Sequence, residues 1–469
     1  MAKEIISQVL SPTNATYVNG LSAERRFSLA ILKNSWQKLV EKDGQGVTDK
    51  FVTEDDATHA AQVFVNRIIP VKMQPRVMGA SKNGASYSAN KHFTQSETVG
   101  IELLTVIDDP ILIPRARKDM IPVDLAAEQT EMFSNRLATI INGATAGSKL
   151  MESYKSDAGN HVTISSSDVT NKLVLQRLIE ANTLLDEGDQ EHGIDIFPAE
   201  TRIDVFKVTY RPALLGAGIL NLGGANYAYD IARQGGVSKD AQQRKLEDGY
   251  IGEIDGNPVH LISNESLQHA SEFCGFPANE LKASPFVGYI ASSYANARGV
   301  STTERIKVVD DPDGQGIRLQ PYVKMGVATW YPKGVVTIAT ESYNPIEELK
   351  TLFTGVTGIT FKLKAAGSRL WPTGATFASV TAAGFTVNGL AATDDNLLDH
   401  LKGVVYYVGA AQATSVHDFA VKYAAATEKG SVTVGNAVSA TVANGQFINV
   451  LAIADDGSVS LFAHKAVIA

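Results

Sequence analysis

The chain reads as an α+β protein: a polar N-terminal arm, a very long β-hairpin, a helix, a mixed core and a closing stretch of mostly β texture. Three observations lead there. Two extended, alternating arms flank Asn83-Gly84; a capped amphipathic helix follows them; and beyond Asn344-Pro345 the composition turns to Ala, Gly, Thr and Val in short runs broken by turn residues.

Residues 1–60 form the arm. Within it Ser22 to Glu41 has helical spacing, with Leu29, Leu32, Trp36, Leu39 and Val40 as an apolar edge on a polar helix. That edge suits docking onto a neighbouring copy or packing on its own domain.

Residues 61–123 carry the hairpin. Arg67 to Met78 is the outgoing arm, and Lys91 to Ile113 returns with alternation at Val99, Ile101, Leu103 and Thr105. Asn-Gly is the strongest short turn signal there is. A two-stranded ribbon is marginal alone in water, so a hairpin of this reach must lie on something else, and a second copy of the chain is the plainest candidate. A self-assembling structural protein is the expectation.

Residues 124–345 form the mixed core. Asp124 after Pro122 suits an N-cap, with Glu128 and Glu131 near the positive helix end. Leu125, Met132, Phe133, Leu137, Ile140 and Ile141 form one stripe, and Asn142-Gly143 predicts a left-handed stop. A second helix is expected from Asp168 to Leu185, ended by Gly188. Strands are expected near 194–197, 258–263, 286–291, 305–309, 317–331 and 334–341, with Gly216 to Gly256 as loops. Residues 346–469 read as an appended, mostly β domain. Its clearest piece is Phe447 to Ala454, the turn Asp455-Asp456-Gly457 and Ser458 to Phe462; Gly403 to Gly409 and Ser431 to Val434 supply further strands.

Composition excludes several classes. A net charge of −8 argues against a protein built chiefly to neutralise phosphates. A single cysteine, Cys274, rules out an internal disulfide and fits a reducing cytoplasm; between Phe273 and Phe276 it reads as packing filler. The N-terminus has no signal-peptide core, and no run reaches membrane-span length. Catalytic patterns fail as well. Gly143-Ala-Thr-Ala-Gly-Ser-Lys149 has the wrong order and spacing for a phosphate loop and reads as a flexible segment after a helix. Asp311 to Gly316 begins like a calcium loop, but Tyr322 occupies its twelfth position, so a turn between strands is expected. With no paired metal-ligand motif and no nucleophile elbow, neither enzyme activity nor a cofactor nor a metal is expected.

The order of these blocks resembles the major capsid proteins of tailed double-stranded DNA bacteriophages, which share the Hong Kong 97-type fold. The resemblance rests on the hairpin, the helix ending Ile140-Ile141-Asn142-Gly143, and the blocks Gly193 to Thr201, Ile254 to Ser263, Phe286 to Ile290 and Gly334 to Thr340, in that order over about residues 60–345. It implies an extended loop, a spine helix, and peripheral and axial subdomains. It also implies assembly into pentamers and hexamers of an icosahedral head, synthesised in the host cytoplasm and resident in the virion. The implied partners are portal, scaffold and head-decoration proteins, and packaged DNA touched non-specifically on the inner face. Intersubunit contacts are expected at Trp36 and Leu39 of the arm, at Arg76, Met78, Lys82, Tyr87, Lys91, His92 and Phe93 of the loop, and at Arg115, Arg117 and Lys118. Some members crosslink a loop lysine to a neighbour's asparagine, for which Lys82, Lys91 and Asn344 are the residues to watch; ordinary ion pairs are the favoured reading of both lysines. An encapsulin-like compartment shell and a secreted carbohydrate-binding protein are the two rival expectations.

Overall fold

The structure, a computed structural model, describes residues 50–54, 62–69, 95–102, 104–107, 111–114, 139–216 and 250–468, less short internal gaps. The expected arm helix, the hairpin tip and the helix start at Asp124 lie outside the described residues.

Among the described residues the strands form five sheets. Strands β2 (Gln62–Ile69) and β3 (Gln95–Glu102) pair antiparallel along their whole length, with Val65 opposite Val99, as a two-stranded sheet of their own. The returning arm does not stay in this ribbon as far as Ile113. Its continuations β4 (Leu104–Ile107) and β5 (Ile111–Pro114) pair instead with β13 (Gly316–Thr329), a 14-residue strand that also pairs with β11 (Asn296–Ser301) and β12 (Arg305–Asp310). Strand β1 (Lys50–Glu54), inside the expected arm, adds parallel to β11. The ribbon is thus rooted in a six-stranded sheet.

The second six-stranded sheet has the order β6 (Asn160–Thr163), β14 (Val335–Ala339), β10 (Phe286–Ser292), β7 (Arg202–Lys207), β9 (Asn257–Ile262), β8 (Tyr250–Ile254). Two expectations change here. The strand foreseen at 194–197 is only an isolated bridge, Asp189 to Ile194, and the buried strand is β7, which reads Arg-Ile-Asp-Val-Phe-Lys. Strand β8 occupies the end of the segment read as loops. One face of this sheet (Phe206, Val287, Ile290, Val336, Ile338) buries Val174, Leu178, Ala181 and Leu185 of helix α2 (Val174–Asp186). A separate short helix, Ser166–Thr170, precedes α2, so the expected second helix is broken in two. Gly188 does stop it, at φ +66, where a side chain would meet the carbonyls of Ile194 and Asp195 at 2.3 Å.

Helix α1 (142–151) overturns the stop expected at Asn142-Gly143. Residues 139–140 and 142–151 are helical, and Thr145 to Met151 are buried instead of forming a flexible segment. The glycines serve packing. A Cβ on Gly143 would lie 2.6 Å from His269 Cβ, and one on Gly147 2.8 Å from the Ala270 carbonyl, so their bareness lets α1 close on α3 (Asn264–Phe273). Cys274, following α3, is buried and its thiol donates to the Gly147 carbonyl at 3.1 Å.

The C-terminal hairpin forms as expected from β20 (Phe447–Ala454) and β21 (Val459–Lys465), with Gly457 at φ +79 in the turn. With β17 (Leu401–Gly409) and β18 (Lys429–Ser431) they make a four-stranded sheet, in which β18 shares only Ser431 with the strand foreseen at Ser431 to Val434. Alternate residues serve two cores. Val404, Tyr406, Val408, Ile448, Val450 and Ala452 pack toward the three-stranded sheet of β15 (Pro372–Thr381), β16 (Gly384–Ala392) and β19 (Ala437–Ser439). Val405, Tyr407, Leu451 and Ile453 join Leu150, Tyr154, Leu267, Phe276 and Tyr289 in one continuous cluster. Burial on both faces is why these strands read as largely apolar runs.

Candidate functional site

The twelve expected contact residues, Trp36, Leu39, Arg76, Met78, Lys82, Tyr87, Lys91, His92, Phe93, Arg115, Arg117 and Lys118, lie outside the described residues. What the structure brings together instead is a buried polar cluster where the C-terminal sheets meet the rest of the chain.

Four short elements build it. Helix α4 (Glu280–Ala283) supplies Glu280; α5 (Pro345–Leu352) and the residues before it supply Glu341, Tyr343 and Glu348; α6 (Val416–Ala425) supplies His417; and β7 supplies Lys207. Helix α5 begins where Asn344 Oδ1 accepts from the Ile346 and Glu347 amides, with Pro345 at its first turn. The same side chain reaches the Tyr154 carbonyl through Nδ2 at 3.4 Å, so Asn344 is a helix cap. Helix α6 begins at Ser415, whose hydroxyl accepts from the Asp418 amide at 3.1 Å.

Glu280 is fully buried. The Tyr343 hydroxyl donates to its Oε1 at 3.2 Å and the Val416 amide donates to its Oε2 at 2.6 Å. Burial pushes its carboxyl up to about 7, against the opposing pull of the Val416 amide. His417 Nδ1 lies 2.6 Å from Glu348 Oε1 and its Nε2 3.4 Å from Glu341 Oε1, and the bond to Glu348 raises the imidazole above its ordinary value. Its ring meets Tyr343 edge-on at 5.7 Å, and Tyr343 meets Tyr154 in the same way at 5.4 Å. Lys207 Nζ donates to the carbonyls of Ser284 and Lys282, at 3.1 and 3.3 Å, and burial lowers its ammonium to about 8.

The cluster can exchange protons near neutrality, but Glu280 has no exposed surface to offer a substrate. The cleft beside it, about 440 Å3 between α5 and α6, is lined by Asn344, Glu348, Leu352, Tyr423 and Lys429. Among the described residues no group of His, Cys, Asp and Glu is placed to hold a metal ion, and no helix is long and apolar enough to cross a membrane. Sequence reasoning passed over Glu280 and His417 because each lies in an ordinary polar helix start; their partners are far away in the chain.

No family model and no curated protein matches the sequence. Solved structures do show likeness. The capsid of Ralstonia phage GP4 is 13% identical at a TM-score of 0.42, covering 64% of this chain and 88% of that one. The capsid of cyanophage P-SCSP1u is 11% identical at a TM-score of 0.41, covering 63% and 87%. These neighbours are capsids. A virus-like particle from Pyrococcus furiosus is 11% identical at a TM-score of 0.36, covering 67% and 98%.

Proposed function

We propose that this chain is the shell-forming subunit of a capsid of the tailed-phage kind, closing with its own copies into pentamers and hexamers around a DNA genome. The observation that carries the reading is the β2–β3 ribbon. It is a two-stranded sheet of its own whose returning strand leads into the β13 sheet, and such a unit gains stability by lying on further apolar surface. A neighbouring subunit supplies that surface in every copy at once, and many modest interfaces then sum at about 25 cal/mol per Å2 of apolar area. The buried charges and helix packing of the described core serve architecture, which agrees with a structural role.

In the finer reading, residues 1–60 are an arm, 61–123 an extended loop, 124–345 a core with a spine helix and peripheral and axial parts, and 346–469 a β addition on the shell. The loop residues Arg76, Met78, Lys82, Tyr87, Lys91, His92 and Phe93, the arm residues Trp36 and Leu39, and Arg115, Arg117 and Lys118 make the intersubunit contacts. Portal, scaffold and decoration proteins are the remaining partners. Neither an encapsulin-like compartment nor a secreted carbohydrate-binding protein is favoured by any observation. Deleting Gln74 to Phe93 should leave the core folded, as read by circular dichroism, while electron microscopy finds no closed shells. Normal particles from the deletion would sink the assignment.

A further inference from the structure

The C-terminal layers are fastened to the rest of the chain through a cluster of ionisable groups centred on the fully buried Glu280. Val416 is the first residue of α6, and its amide is held by Glu280, a carboxylate that arrives from α4. One residue further, His417 is held by Glu348 of α5, within the C-terminal part, and by Glu341 from the core side of the boundary. The helix end attracts negative charge while burial resists it, so this contact is sensitive to whether Glu280 is ionised. We propose that Glu280 and His417 form a proton-dependent latch that holds the C-terminal layers on the core most tightly in mildly acid solution and loosens them as the pH rises to neutrality. The proposal concerns this chain's own fold and stands whether or not the chain builds a shell.

Every element packed on the latch contributes a group. Glu341, Tyr343 and Glu348 face it from α5 and the residues before it, Tyr154 from the α1 side, Lys207 from β7, and Asp418, paired with Lys422, from α6 itself. Glu280 and His417 both hold protons more tightly when docked than when free. For each, the docked state is favoured below the free group's value and loses that advantage as pH rises through the raised one, which for Glu280 is about 7. Lys207 has the opposite sign: burial opposes its charge, and that penalty is relieved as pH rises past about 8. The net loss of docking from Glu280 therefore runs between about pH 4.5 and about pH 7. Glu280 alone accounts for roughly a hundredfold change in the docking equilibrium.

Hydrogen-exchange protection of the Val416 and Phe419 amides in the full chain tests this, in the native sequence and in Glu280→Gln. Between about pH 4.5 and about pH 7.5, protection in the native chain should fall by roughly a hundredfold. Glu280→Gln keeps the shape and the acceptor but cannot ionise, so its protection should fall far less, by only what His417 contributes. Flat protection in the native chain, or an equal fall in both chains, overturns the latch. If Glu280→Gln fails to fold, a carbon-13 titration of Glu280 in the native chain decides. A midpoint near 7 supports the latch, and an ordinary carboxylate midpoint overturns it.

Discussion

Strands β7 and β20 are both central, both covered on two faces, and made of opposite materials. β20 reads Phe-Ile-Asn-Val-Leu-Ala-Ile-Ala, and its single buried polar side chain, Asn449, accepts from the Ala413 amide at 2.8 Å. β7 buries Arg202, Asp204 and Lys207. Each charge there is met by groups from elsewhere: Arg202 Nε donates to the Phe197 carbonyl at 3.0 Å, its Nη2 pairs with Asp186, and Asn257 Nδ2 donates to Asp204 at 3.2 Å. The lesson is that two-sided burial selects for satisfied groups, and apolar residues are only the simplest way to meet that demand.

The contrast can be broken most sharply at Leu451. Leu451→Ala empties volume in the cluster shared by the C-terminal sheet and the core, and should cost about 2–5 kcal/mol in denaturant unfolding. Because the cluster is shared, the transition should stay single; a separate early loss of the C-terminal sheet would show that the two parts are energetically independent. On β7, Arg202→Met keeps most of the volume but strips the Phe197 and Asn182 carbonyls of a donor, for an expected loss of about 1–3 kcal/mol. An unchanged midpoint would mean that those hydrogen bonds contribute nothing net. Gly147→Ala extends the test to helices. Its new Cβ is forced against Ala270, so α1 must back away from α3 at about 1–3 kcal/mol, whereas a flexible segment would absorb the methyl unnoticed. The smallest effect belongs to Asn344→Ala, which should remove about 1 kcal/mol of helix capping from α5, visible as a small shift in Tm.

The same contrast explains what could be read in advance. The apolar runs of β9, β10, β14, β17 and β20 announce themselves, as does the turn at Gly457, because period and composition act locally. β7 hides because its partners Asp186, Asn182 and Asn257 are brought to it only by the finished fold. Gly143 misleads because one residue type marks both a left-handed cap and the closest contact between two helices. The Glu280 cluster was illegible for β7's reason: Glu280 and Val416 are 136 positions apart.

The central claim, that the ribbon commits the chain to assembling with itself, is tested most directly by negative-stain electron microscopy with light scattering on the purified full chain. Closed shells, rings of five or six, or sheets of such rings are the expected result. A monodisperse monomer at micromolar concentration, persisting when a scaffold is supplied, would contradict the account.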